Sequence, residues 1–105
     1  MKVRVKNWGD YYSTYDKWFT ENNCEEYLPQ YKQEDRLIAH VSGFGDKYYA
    51  YDKNGRLIDT HNVPYEVIKI GNHGRMTDKV IYLIQEPITN KVYLIEKRAT
   101  EEIRG

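Results

Sequence analysis

The chain predicts a mostly β fold, a small antiparallel barrel or bent sheet that carries one short helix near its start. Three observations carry this. From residue 36 onward, short apolar or alternating runs are separated by turn chemistry at close spacing. Helical spacing of apolar residues is confined to one stretch, residues 15–22. At 105 residues the chain is one domain, and a domain this small buries a limited share of its surface.

Residues 2–6 alternate strictly. Val3 and Val5 point one way and Lys2, Arg4 and Lys6 the other, the pattern of a half-buried strand. The stretch Asn7-Trp8-Gly9-Asp10-Tyr11-Tyr12-Ser13-Thr14-Tyr15-Asp16-Lys17-Trp18-Phe19 follows. It holds both tryptophans, three of the eleven tyrosines and one of the two phenylalanines. Aromatics this dense either fix a small core or present a contact surface. Residues 7–10 have turn chemistry. Ser13 or Thr14 suits a helix cap, with Asp16 three residues after Ser13 as in a capping box. On a helix over residues 15–22, Tyr15, Trp18, Phe19 and Asn22 share one face, as expected of a lid packed on a sheet.

Residues 23–35 are the least regular. One further helical turn over 24–28 would end at Pro29, and residues 30–35 are polar. The stretch is expected to be a mobile insertion, with Tyr27 and Tyr31 available for binding.

The β pattern occupies the rest. Residues 37–41 form one strand and 47–51 a second. Asp52-Lys53-Asn54-Gly55 is a strong hairpin signal, because Asn and Gly tolerate positive φ. Residues 56–60 return, and 65–70 form a further strand. Residues 78–85 and 91–97 form the last hairpin. Val80-Ile81-Tyr82-Leu83-Ile84 is apolar on both faces, which marks a central strand. Residues 98–105 are charged and suit a helical turn or a frayed end. About six or seven short strands result, and a chain this short hides its sheet edges most economically by curling into an SH3-like barrel. The expected core is Val3, Val5, Trp18, Phe19, Leu37, Ile38, Val41, Leu57, Ile68, Ile70, Val80, Tyr82, Ile84, Val92 and Leu94.

Sixteen basic residues balance sixteen acidic ones. Zero net charge argues against a generic nucleic-acid binder, which draws its affinity from phosphate neutralisation. It argues equally against an acidic DNA mimic. The single cysteine, Cys24, cannot form an internal disulfide, which fits a reducing cytosol. No apolar run has membrane-helix length, so the expectation is a cytoplasmic protein with no membrane partner.

The residues Lys2-Val3-Arg4-Val5, Tyr12-Ser13-Thr14-Tyr15-Asp16-Lys17-Trp18, Val67-Ile68-Lys69-Ile70-Gly71-Asn72-His73-Gly74 and Val80-Ile81-Tyr82-Leu83-Ile84 together resemble a group of small bacteriophage and prophage proteins. These open with a basic strand and a Tyr-Ser-x-Tyr helix start, followed by SH3-like strands. The resemblance covers both ends of the chain but not residues 23–66. It implies an accessory phage product that binds a host protein, inhibiting or redirecting it, defence nucleases included. It implies no catalytic residues.

Candidate chemistry is sparse. His61-Asn62 and Asn72-His73 superficially suggest a ββα-metal nuclease, but a strand separates them and no following helix brings a third ligand. An enzyme built on His61, His73 and Asp59 is the third-ranked reading. One Cys and three scattered His do not supply the paired ligands of a zinc site, so neither metal nor cofactor is expected. Cys24 beside Glu25 and Glu26 is a poor nucleophile. Gly43-Phe44-Gly45 and Gly71-Asn72-His73-Gly74 lack phosphate-loop spacing. The strongest surface candidates are Tyr48, Tyr49 and Tyr51 beside Arg36, Lys47 and Arg56. Tyr and Arg dominate protein-binding hot spots, and tyrosines also stack bases. Neutral charge favours a protein partner. Single-stranded nucleic acid is the alternative, and a homodimer paired through a strand edge at residues 78–85 is compatible with either.

Overall fold

Two neighbouring strands, β6 (Val80–Gln85) and β7 (Val92–Glu96), are apolar on both faces because the sheet is covered on both. A computed structural model describes residues 1–32, 36–41, 47–52, 54–57 and 63–104, with backbone alone for 36–41, 47–50 and 52. The other strands are β1 (Lys2–Val5), β2 (Tyr11–Tyr12), β3 (Arg36–Val41), β4 (Lys47–Asp52), β5 (Tyr65–Asn72) and β8 (Thr100–Glu102). They form an antiparallel, curled six-stranded sheet in the order β2-β7-β6-β5-β1-β8 and a separate β3-β4 hairpin. The hairpin backbone lies against a 3-10 turn at Trp8–Asp10. Two short α-helices, α1 (Lys17–Glu21) and α2 (Leu28–Lys32), lie between β2 and β3, with a 3-10 turn at Glu25–Tyr27 leading into α2. No helix among the described residues is long and apolar enough to cross a membrane.

Alternation along β6 and β7 sorts their side chains into two cores. The first joins Tyr82, Ile84, Tyr93 and Ile95 to Val3, Val5, Tyr65, Ala99 and Trp8. Trp8 is 1% exposed and sits edge-on to Tyr11, Tyr65 and Tyr93 at 5.5–6.0 Å. The second joins Ile81, Leu83, Val92 and Leu94 to the helical side: Tyr15, Trp18, Phe19, Cys24 and Tyr31. The expected lid is therefore present, with Trp18 and Phe19 fully buried.

Several expectations need correction. The helix starts at Lys17 rather than Tyr15, and its cap position is Asp16, which makes no side-chain cap bond. A second helix exists: Pro29 does not stop a turn but occupies the first turn of α2, where its missing N–H costs nothing. Residues 25–32 are thus helical, whereas 33–35 lie outside the described residues. The charged end is neither frayed nor wholly helical. After a 3-10 turn at Lys97–Ala99, β8 pairs with β1, placing Val3 opposite Glu102 and Val5 opposite Thr100. Strand β6 lies between β5 and β7, so edge pairing through residues 78–85 is closed; β2 and β8 are the edges.

The core list also changes. A bulge in β5 pairs Val67 with Ile84 but Lys69 with Leu83, leaving Ile68 as the extra residue. Period-2 alternation put Ile68 and Ile70 on one face. The bulge turns Ile68 to the helical core and sets Ile70 opposite Tyr82 on the other face, 53% exposed. Leu57, bridged to Tyr51 after the turn at Gly55 (φ 81°), is 44% exposed. Val80 is half-buried. Side chains at Leu37, Ile38 and Val41 lie outside the described set. Gly71 is where β5 meets α1: a Cβ there would overlap the Asn22 side chain and approach Trp18 Cζ2 to 2.9 Å. Asn22 Nδ2 in turn donates to the Trp18 carbonyl, 2.8 Å.

The β6–β7 loop is organised by Glu86. Its carboxylate accepts from the Ile88 and Thr89 amides and from the Thr89 hydroxyl, and Asn90 closes the turn at φ 62°. Burial alone would push the Glu86 carboxyl up, but the hydrogen bonds from Thr89 and Ile88, helped by Lys91, bring it below the usual glutamate value of 4.5. A lowered carboxyl contributes stability that is complete above the unfolded value and is lost as pH falls through the folded one. The melting temperature of the native chain should therefore exceed that of Glu86→Gln at neutral pH. The difference should shrink below about pH 4.5. A difference that stays constant down to pH 3 in melting scans would contradict this.

Candidate functional site

The aromatic run of residues 11–19 and the β5–β6 loop meet at one end of the sheet. Tyr31, reaching up from α2, fixes the first of these from inside. Its hydroxyl donates to the Tyr12 carbonyl and accepts from the Tyr15 amide, the latter at 3.0 Å. Tyr15, 8% exposed, fixes the second: its hydroxyl accepts from the Gly74 amide at 2.8 Å. A Cβ on Gly74 would meet that hydroxyl at 3.1 Å, so glycine permits the close approach. His73 Nδ1 accepts from the Arg75 and Met76 amides at 3.0 and 3.2 Å. The proton of the neutral imidazole therefore sits on Nε2. The His73 ring lies 5.1 Å from Tyr15 and 5.7 Å from Tyr12.

These groups line a cleft of about 420 Å³ with Tyr11, Ser13, Thr14, Lys17 and Arg75, inside the usual range for ligand sites. No acidic residue among the described ones lines it. Lys17 lies 6.0 Å over the Tyr15 ring, and neither Lys17 nor Arg75 has an ion-pair partner among the described residues. Burial pushes the Tyr12 phenol above the ordinary tyrosine value; Glu96 and Asp10 add to this and Arg98 opposes it. Tyr12 therefore presents a neutral hydroxyl.

Tyr31→Phe should cost about 1–3 kcal/mol, since it strands the buried Tyr15 amide and removes the bond to the Tyr12 carbonyl. Urea unfolding would check it, and an unchanged midpoint would remove Tyr31 from this role.

The sequence candidates fall in different places. Tyr48, Tyr49 and Arg36 are brought together in the β3-β4 hairpin, where Tyr48 opposes His40, Tyr49 opposes Ala39 and Arg36 opposes Asp52; their side chains lie outside the described residues. Tyr51, opposite Leu37, is half-buried, and Arg56 is exposed. Tyr31 is corrected: at 2% exposure it is a core residue whose ring lies 4.8 Å from Phe19, so it has no face to offer a partner. Tyr27 is half-buried against the same core. His61, Asp59 and Gly43-Phe44-Gly45 lie outside the described residues. Cys24 is buried, and burial first, then Glu26, pushes its thiol up against the opposing effect of Lys69. It is a packing residue and not an activated nucleophile. Among the described residues no group of three or more His, Cys, Asp or Glu converges as metal ligands.

Sequence reasoning did not assemble Tyr12, Tyr15, His73 and Arg75, which are some 60 residues apart in the chain. The available signals were Tyr12-Ser13-Thr14-Tyr15 and Asn72-His73-Gly74, each read separately as a cap and a turn. No family model, curated protein or solved structure matches the chain.

Proposed function

We propose that the chain is a non-enzymatic binding protein that occupies a site on a protein of its host cell, blocking or remodelling it, as an accessory phage product acting in the host cytoplasm. The observation that carries this is the cleft at Tyr11, Tyr12, Tyr15 and His73. Rigid aromatic rings stand there beside two cations that have no ion-pair partner among the described residues. Tyr and Arg around a partly desolvated hollow is the composition of a protein-binding hot spot. The curled antiparallel sheet supports reading the scaffold as an SH3-like barrel.

Lys17 and Arg75 are exposed, so Lys17→Glu with Arg75→Glu should leave the fold intact while reversing the charge of the cleft. Tagged protein should capture one stoichiometric partner from a bacterial lysate. Capture should survive nuclease treatment and disappear in the double variant. Capture indifferent to the double variant would reject this docking surface.

The absence of acids from the cleft lining among the described residues favours a second reading, a module for single-stranded nucleic acid in which tyrosines stack bases and cations meet phosphates. It predicts recovery of nucleic acid, loss of partners on nuclease treatment and steep weakening with salt.

A further inference from the structure

A second cleft, of about 520 Å³, opens beside the first and is lined by Lys6, Lys79, Lys97, Arg98, Asp78 and Glu96, with Val80 and Thr100. Tyr12 lines the first cleft and feels the charges of Glu96 and Arg98, which line the second. Glu96 is the only charged residue buried among the described residues, 4% exposed. It continues the inward-facing parity of β7, opposite Ile81. A carboxylate is retained there only with partners, and it has two. Lys79 Nζ lies 3.5 Å from Oε1 and Arg98 Nη2 lies 3.3 Å from Oε2. Arg98 Nη2 also donates to Asp10 Oδ1 at 3.0 Å. The Thr100 hydroxyl donates to the Lys97 carbonyl at 2.7 Å, holding the 3-10 turn that presents Lys97 and Arg98.

A structural ion pair would need Glu96, Lys79 and Arg98 alone. The cleft adds Lys6 and Lys97, exposed and with no ion-pair partner among the described residues. Four cations thus face two carboxylates in one concavity, on a chain of zero net charge. Concave walls concentrate such a field. Asp10, outside the lining, also holds Arg98, so the surplus is one positive charge, and Lys6 and Lys97 are the cations open to an anion. Lysine point charges and an arginine fork oriented by Asp10 and Glu96 are the groups that hold phosphate oxygens.

We propose that this cleft is a binding site for a multiply charged phosphate, a di- or triphosphate either free or carried by a nucleotide. Lys6 and Lys97 supply contacts, and Glu96 is a positioning residue that holds Lys79 and Arg98 at the wall.

The test is calorimetric titration of the full chain with inorganic pyrophosphate and triphosphate at fixed low ionic strength, with sulfate as the control. Saturable one-to-one binding is expected. Lys6→Glu and Lys97→Glu, both exposed, should each weaken it about tenfold or more, as loss of a charge-assisted contact implies. Arg104→Gln, exposed and outside both clefts, should leave it unchanged. Adenosine triphosphate binding more tightly than triphosphate would identify a nucleotide as the ligand; equal affinity would identify free polyphosphate. Three results would overturn the proposal: no saturable heat, a response matched by sulfate (an adventitious ion only), or affinity unaffected by Lys6→Glu and Lys97→Glu. Binding of a single-stranded oligonucleotide without binding of pyrophosphate would overturn it too.

Discussion

Trp18→Ala is expected to lower the stability of the chain by about 3–5 kcal/mol, the range for removing a fully buried tryptophan. Trp18 has no exposed surface. Its ring meets Phe19 edge-on at 5.7 Å and lies against the bare backbone of Gly71. The backbone around Gly71 is shaped to that indole, so the site cannot collapse cheaply and the cavity persists. Domains of this size have about 5–15 kcal/mol in total, so the variant should lose a large share of it. Urea denaturation would measure the shift. An unchanged midpoint would mean that the helices do not hold the sheet through this side chain. The Nε1 of Trp18 is buried with no hydrogen-bond partner among the described residues. Trp18→Phe should therefore cost much less than alanine, because no bond is lost with the nitrogen.

Trp8→Ala should cost about as much, roughly 3–5 kcal/mol, through the opposite face of the sheet. Trp8 is the hub of three edge-to-face contacts with Tyr11, Tyr65 and Tyr93, which come from β2, β5 and β7. Such contacts add to simple area burial by about 0.5–1.5 kcal/mol each. Near-ultraviolet circular dichroism should lose most of its tyrosine and tryptophan signal while far-ultraviolet strand signal persists in whatever fraction stays folded. A variant with native near-ultraviolet signal and native stability would show that Trp8 is dispensable to this core.

These two tryptophans also show what was legible in the letters. Trp18 sat at helical spacing with Phe19, and periodicity places such a residue correctly. Trp8 sat in turn chemistry, between Asn7 and Gly9, where no period exists to point it inward. Strands β6 and β7 were legible because burial on both faces leaves an unbroken apolar run. Tyr65 and Tyr93 were not expected in the core, since tyrosine sits equally well at a wet edge and only the neighbouring ring geometry decides. The bulge at Ile68 was invisible to alternation, because one extra residue exchanges the faces of everything after it. The two clefts were less legible still. Each is assembled from segments tens of residues apart, and the charges that matter are defined by which acids they fail to reach.

The placement of β1 has a consequence for synthesis. It lies between β5 and β8, and its last residues pair with Thr100 and Glu101. On the ribosome β1 emerges before both of its partners, β5 some 60 and β8 some 95 residues later, and the wait for β8 is about 5–20 s at ordinary elongation rates. By contrast, β6 and β7 are joined by a loop that Glu86 organises locally. The β6–β7 hairpin is thus the local unit of the sheet, and β1 joins it only through β5. One edge of β1 stays unpaired until β8 has emerged. The charged alternation of Lys2, Arg4 and Lys6 around Val3 and Val5 guards an unpaired strand against association with other chains during that interval.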